Sequence, residues 1–198
     1  MSIYIVTIAV YIDSCAWNYL YEKEVDLAKE LPQSQFSIHV TREVEIELAA
    51  IPDVGRDGTD KGPLKAYIKQ CISGTPVKTS YVFGFQTLEP DGTPSPIQVY
   101  GGFNVGVWQS VEERNFYATP KLEQQLRSGM KVKSGLGKNQ TDASLAAKSL
   151  SSIVLTNERM NKAGPLKLAS ELGGKVVHLQ DQVEPSGLSI GNYLSSIT

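Results

Sequence analysis

Positions 3–12 form an almost unbroken apolar and β-branched run, IYIVTIAVYI, that stops at Asp13. Such a run predicts a strand covered on both faces within a parallel sheet. Over residues 17–31 the apolar positions Trp17, Leu20, Tyr21, Val25, Leu27, Ala28 and Leu31 recur at roughly helical spacing among acids and lysines, and Pro32 follows as a stop. That pattern predicts one helix after the first strand. Residues 36–40 repeat the theme as a short strand, and Thr41 is suited to cap a helix over 42–50 that ends before Pro52. The Gly- and Asp-rich stretch 53–62 reads as a loop, Pro63 opens a helix to Cys71, and residues 79–85 read as another strand.

Proline and glycine crowd residues 86–107 around short apolar runs, which predicts a loop or hairpin excursion; the segment GGFNVG at 101–106 reads as a turn-rich hairpin and lacks the strand and helix of a dinucleotide or P-loop site. Helical stretches are predicted at 111–117 and 121–127, followed by a polar segment to residue 141. The last third alternates clearly: helix 143–150, buried strand 152–156, helix 165–172, then Gly173-Gly174 and a strand over 175–179. Alternating strands and helices imply an α/β fold with a parallel sheet, right-handed crossovers and a ligand site at the carboxyl ends of the strands. The 198 residues suit one domain, with residues 52–135 as an enlarged insertion.

Composition narrows the class. A hydrophobic share of 41% and a charged share of 20% describe a globular chain. The apolar opening lacks a basic flank, and Asp13 ends it short of a membrane span, so a buried strand and no membrane partner are expected. Cys15 and Cys71 have neither disulfide-framework nor zinc spacing, which fits a reducing cytoplasm. A net charge of −2 argues against binding nucleic acid through bulk positive charge, although acids that recruit divalent cations would add acidity of their own. Lys131, Lys133, Lys138, Arg159 and Lys162 supply local basic groups near the motifs.

The carboxylates fall at the ends of these elements. Asp13 ends the first strand, Glu43 and Glu47 share a helix face at i and i+4, Asp142 opens a helix, and Glu158 follows a strand. Oxygen ligands of this kind suit hard divalent cations, which activate water and stabilise a leaving phosphate oxygen. Glu45 points away from the other two helix acids, and Glu47 is favoured over Glu43. Ser14, Thr156 and Asn157 are auxiliary candidates.

Taken together, Val10-Tyr11-Ile12-Asp13-Ser14, Glu47-Leu48, Asp142-Ala143-Ser144-Leu145-Ala146-Ala147 and Ile153-Val154-Leu155-Thr156-Asn157-Glu158 resemble the PIN-domain nucleases in order and spacing. The resemblance covers mainly residues 3–51 and 136–180. It implies a PIN-like three-layer α/β/α domain and cleavage of RNA, with DNA not excluded, using Mg²⁺ or Mn²⁺ held by Asp13, Glu47, Asp142 and Glu158. It also implies a possible antitoxin partner and a possible homodimer. Two positions depart from the family pattern: Glu158 stands where Asp is usual, and Cys15 where Asn or another small residue is common.

Plainer readings accompany each motif. Asp13 and Asp142 could serve only helix termini, and a charge-rich helix such as 42–50 is usually a solvated face. Tyr81, Phe83, Phe85, Tyr100, Phe103 and Trp108 could stack bases but alternate as core aromatics do, and His39 and His178 sit in apolar strands without a visible catalytic partner. Two other functions fit parts of the pattern. A haloacid-dehalogenase-like phosphatase would use Asp13, Thr156 and Lys162, but Cys15 occupies the place of its second acid. A PIN-like scaffold would bind RNA or protein without cutting.

Overall fold

A computed structural model describes residues 7–85, 97–126 and 134–198. The first strand, β1 (Ile8–Ile12), is the hinge of the architecture. It pairs in parallel with β2 (Phe36–Thr41) on one side and β6 (Ile153–Thr156) on the other, in registers Val10↔Ile38 and Val10↔Ile153. Beyond β2 lies β3 (Lys78–Phe83), which pairs with two very short strands, β4 (Tyr100–Gly101) and β5 (Gly106–Val107). Beyond β6 lies β7 (Lys175–His178). Among the described residues the sheet has seven strands in the order β4-β3-β2-β1-β6-β7, with β5 also on β3, and every pairing is parallel.

Helices cover the sheet in two groups, consistent with a three-layer α/β/α arrangement. In the first, α1 (Ala16–Glu22) and α2 (Leu27–Glu30) pack on α4 (Gly62–Gly74). In the second, α5 (Val111–Tyr117), α6 (Pro120–Leu126) and α8 (Pro165–Glu171) gather around α7 (Gln140–Ser149). The helix α3 (Arg42–Ala49) follows β2 directly and touches α7. Its start is set locally, because Thr41 Oγ1 accepts the Val44 N–H at 3.4 Å as an N-cap. Ile12, Trp17, Leu20, Leu145, Leu155 and Leu194 are all fully buried in one hydrophobic cluster.

Several predicted elements change shape. The helix predicted over 17–31 is two helices, because Glu24 takes a left-handed φ of 50° and the Asp26 side chain caps a new start at Lys29 N. The helix predicted to stop at Cys71 continues to Gly74. The hairpin predicted at 101–106 is instead two short strands, each paired in parallel to β3. Residues 3–6, 86–96 and 127–133 carry parts of the predicted first strand, excursion and polar segment and lie outside the described residues. After β7 the chain makes a wide helical turn (Leu179–Val183), a short α9 (Glu184–Ser186) and α10 (Ile190–Ser196), capped by Ser189. At the joint between α8 and β7, Gly173 has φ 89°, and a Cβ on Gly174 would lie 2.3 Å from Ser149 Oγ, so glycine is required at both positions. No described helix is long and apolar enough to cross a membrane.

Candidate functional site

Sheet order fixes where chemistry can gather. From β1 the chain moves outward through β2 to β3, while from β6 it moves the other way to β7, so the direction of winding reverses between β1 and β6. Loops leaving those two strands diverge and open a crevice at their carboxyl ends. Asp13 and the Thr156-Asn157-Glu158 turn stand there.

The ladder carries Asp13 one step past β1: its N–H donates to Leu155 O at 2.9 Å, and its carbonyl accepts from Ala16 N at 3.0 Å to begin α1. The residue is only 2% exposed, and a buried carboxylate demands partners. Thr156 Oγ1 donates to Oδ2 at 2.7 Å and Cys15 Sγ donates to the same oxygen at 3.0 Å. Ser14 Oγ lies 3.3 Å from Asp13 Oδ1 and 2.6 Å from Glu47 Oε2, so one hydroxyl proton stands between two carboxylates and favours the nearer. On the other side Thr141 Oγ1 donates to Glu47 Oε1 at 2.8 Å. Asp13, Ser14, Glu47 and Thr141 thus form one chain of oxygens joining β1, α3 and α7, and Asp142 is the next residue in the first turn of α7.

The β6 side closes beneath this chain. Thr156 Oγ1 accepts the Glu158 N–H at 3.1 Å, and Cys15 Sγ accepts the Asn157 N–H at 3.3 Å. Burial, followed by the Asp13 charge, pushes the Cys15 thiol far above its ordinary pKa, so it remains a protonated S–H donor. Asn157 Oδ1 is buried and has no hydrogen-bond partner among the described residues. The Glu158 carboxylate pairs with Lys162, while its carbonyl accepts from His178 Nδ1 at 2.8 Å. Burial lowers the His178 pKa against the opposing pull of Asp181, so this imidazole is neutral and braces the turn.

Of the acids singled out from the sequence, Asp13 and Glu47 come together through Ser14, and Asp142 adjoins Glu47's partner Thr141. Glu43 turns elsewhere. Its Oε1 accepts the Val99 N–H at 2.9 Å in a buried nest with Thr41 and Ser144, and burial raises its pKa. Glu45 pairs with Arg42 at 2.5 Å, as its different direction on α3 requires. Among the basic residues, Arg159 is paired with Asp181 at 2.6 Å and Lys162 with Glu158, Lys138 is exposed, and Lys131 and Lys133 lie outside the described residues. Thr141 and Cys15 are site members that the motifs did not single out: Thr141 directly precedes Asp142, and Cys15, a departure from the family pattern, lies two residues after Asp13.

Carboxylate, hydroxyl and amide oxygens are the donor types a hard divalent cation takes, and the unpartnered Asn157 Oδ1 is an acceptor that such an ion or its water would satisfy. Asp13 and Glu47 fit that role by position. Among the described residues no group of three or more His, Cys, Asp and Glu side chains lies close enough to share one ion, and Glu158 is held by Lys162. Comparisons with protein families, characterised proteins and solved structures find no match for this chain.

Proposed function

We propose that this chain hydrolyses phosphodiester bonds of nucleic acid, RNA in preference to DNA, as a PIN-like nuclease dependent on Mg²⁺ or Mn²⁺. The observation that carries this reading is the Ser14 hydroxyl joining Asp13 and Glu47 at the point where the sheet reverses its winding. Asp13 and Glu47 would hold the cation, with Asp142 and Glu158 as the further acids that the motif order supplies. When bound, a divalent cation supplies Lewis-acid stabilisation of negative charge on phosphoryl oxygens. Thr156 and Cys15 orient Asp13, Ser14 and Thr141 orient Glu47, and Asn157 Oδ1 offers an acceptor to a water in the crevice. A protein inhibitor of the antitoxin type and a second copy of the chain are the partners that the resemblance suggests.

The test is cleavage of a fluorescent single-stranded RNA with Mg²⁺, with Mn²⁺ and with a chelator, for the wild type, Asp13→Asn and Glu47→Gln. Metal-dependent cutting is expected, abolished by chelation and reduced about a hundredfold or more in each variant, since both alter a direct ligand. Cleavage at the wild-type rate in either variant would overturn the assignment. A non-cutting scaffold is distinguished by calorimetry, where it would take up no Mn²⁺ in an Asp13-dependent way. The Thr156–Asp13 hydrogen bond favours the phosphatase reading, but Cys15 fills the second acid's place and Lys162 is paired with Glu158; trapping of a phosphorylated Asp13 would revive it.

A further inference from the structure

Beside Ser14 and Glu47 a groove of about 540 Å³ opens between α3 and the start of α4. Its volume lies within the range of small-ligand sites. Leu48, Ile51 and Leu64 give it an apolar floor, while Arg56 and Lys61 bring cationic groups to its wall. An apolar floor between a carboxylate end and a cationic wall is an uneven combination, and the occupant must match all three parts.

The wall is built by local structure. Between α3 and α4 the chain folds back on itself: Val54 bridges Asp60, Gly55 N–H donates to Thr59 O at 2.7 Å, and Lys61 N–H donates to Asp53 O at 2.8 Å. Gly58 closes the tip, its N–H donating to Gly55 O at 3.0 Å with φ 82°, a conformation that suits glycine. Asp57 and Asp60 are used inside this turn, accepting from Thr59 N at 3.1 Å and Gly62 N at 2.8 Å. Arg56 is exposed and makes no ion pair among the described residues. Hydrogen bonds turn the Asp57 and Asp60 carboxylates toward the backbone of the turn, although Asp57 remains close enough to Lys61 to interact with it electrostatically, and Arg56 lines the groove.

We propose that this groove seats single-stranded nucleic acid next to the reactive phosphate, Arg56 and Lys61 holding a backbone phosphate and the Leu48–Ile51–Leu64 floor receiving an unstacked base. The assignment rests on the nuclease reading of the neighbouring site. A duplex keeps its bases stacked and paired and offers mainly phosphates, whereas a single strand presents both a phosphate for the cations and a base face for the apolar floor. With a net charge of −2 the chain offers no bulk positive charge to a polyanion, so local cations of this kind carry its attraction when no metal is bound.

Binding of a fluorescein-labelled oligouridylate, followed by anisotropy with chelator present so that no strand is cut, tests this directly. Wild type is expected to prefer the single strand to a duplex. Arg56→Ala and Lys61→Ala should each weaken binding and flatten the dependence of log K on log salt by about 0.7. Lys69→Ala, on the exposed outer side of α4, should leave both unchanged. Duplex binding as tight as single-strand binding, or unaltered salt slopes in both groove variants, would overturn the proposal. Binding that depends on Arg56 and Lys61 in a protein that cuts nothing with either metal leaves the groove standing and removes the nuclease reading. Metal-dependent cutting with groove variants that bind normally does the reverse.

Discussion

Glu43 and Glu47 lie one turn apart on the same side of α3, yet their carboxylates have opposite fates. Glu47 reaches Ser14 and Thr141 at the crevice, and Glu43 is 3% exposed against Val99 N–H, with Tyr100 and Tyr117 nearby. Burial raises the Glu43 pKa above the ordinary carboxyl value of 4.5, outweighing the hydrogen bonds from Val99, Ser144 and Thr41. The folded protein therefore keeps a proton that the unfolded chain releases. Stability from this group is fully present below pH 4.5 and is lost as the pH rises through the folded value, with a slope of at most about 1.4 kcal/mol per pH unit. Glu43→Gln retains an acceptor for Val99 N–H and cannot ionise. Its urea midpoint should therefore exceed that of the wild type at neutral pH, the two converging as pH falls. A wild type as stable as the variant at pH 8 would contradict the buried-proton account.

At the scale of elements, the alternation of strands and helices in residues 143–179 was legible because each segment is short, strongly periodic and punctuated by Pro165 or Gly173. The break between α1 and α2 was not, since Val25 keeps the helical spacing across it and only Asp26, a capping residue, hinted at a second start. For the site, the sequence brought out Asp13 and Glu47 because both end or follow apolar elements that the sheet must align. It could not show Arg56 and Lys61, whose relation to the crevice depends on a turn held by Asp53, Gly55 and Thr59 backbone contacts. Nor could it pair Glu113 with Lys148, 35 positions apart, which join α5 to α7 at 2.8 Å with side chains only 5% and 10% exposed. Breaking such a pair strands a buried charge. Lys148→Met is expected to cost about 3–5 kcal/mol in urea unfolding, and adding Glu113→Gln, which removes the charge but keeps an acceptor for Ser110 N–H, to recover much of it. If the double variant were no more stable than Lys148→Met, the stranded charge would not be the source of the loss.

For the molecule as a whole, the question is whether the long stretch between α3 and α7 is a separate body. Its helices argue otherwise: Leu64 and Ile68 of α4, Phe116 of α5, and Leu122 and Leu126 of α6 belong to the same hydrophobic cluster as Val10 and Leu194. An interior shared from the first strand to the last helix should couple the elements that line it, because opening any one exposes the faces of its neighbours. The two tryptophans lie at contrasting positions in this arrangement. Trp17 is completely buried in α1, whereas Trp108 is 79% exposed and packs on Phe83, ring centroids 4.6 Å apart, beyond the last paired residues of β5. Trp108→Phe leaves fluorescence as a report on Trp17 alone, while far-ultraviolet circular dichroism follows helices in all regions. In urea the two signals of this variant should fall on one curve, with a single midpoint and slope. A dichroism transition that begins before Trp17 responds would show that some helices unfold apart from the core around α1, and the shared interior would then not bind the chain into one cooperative unit.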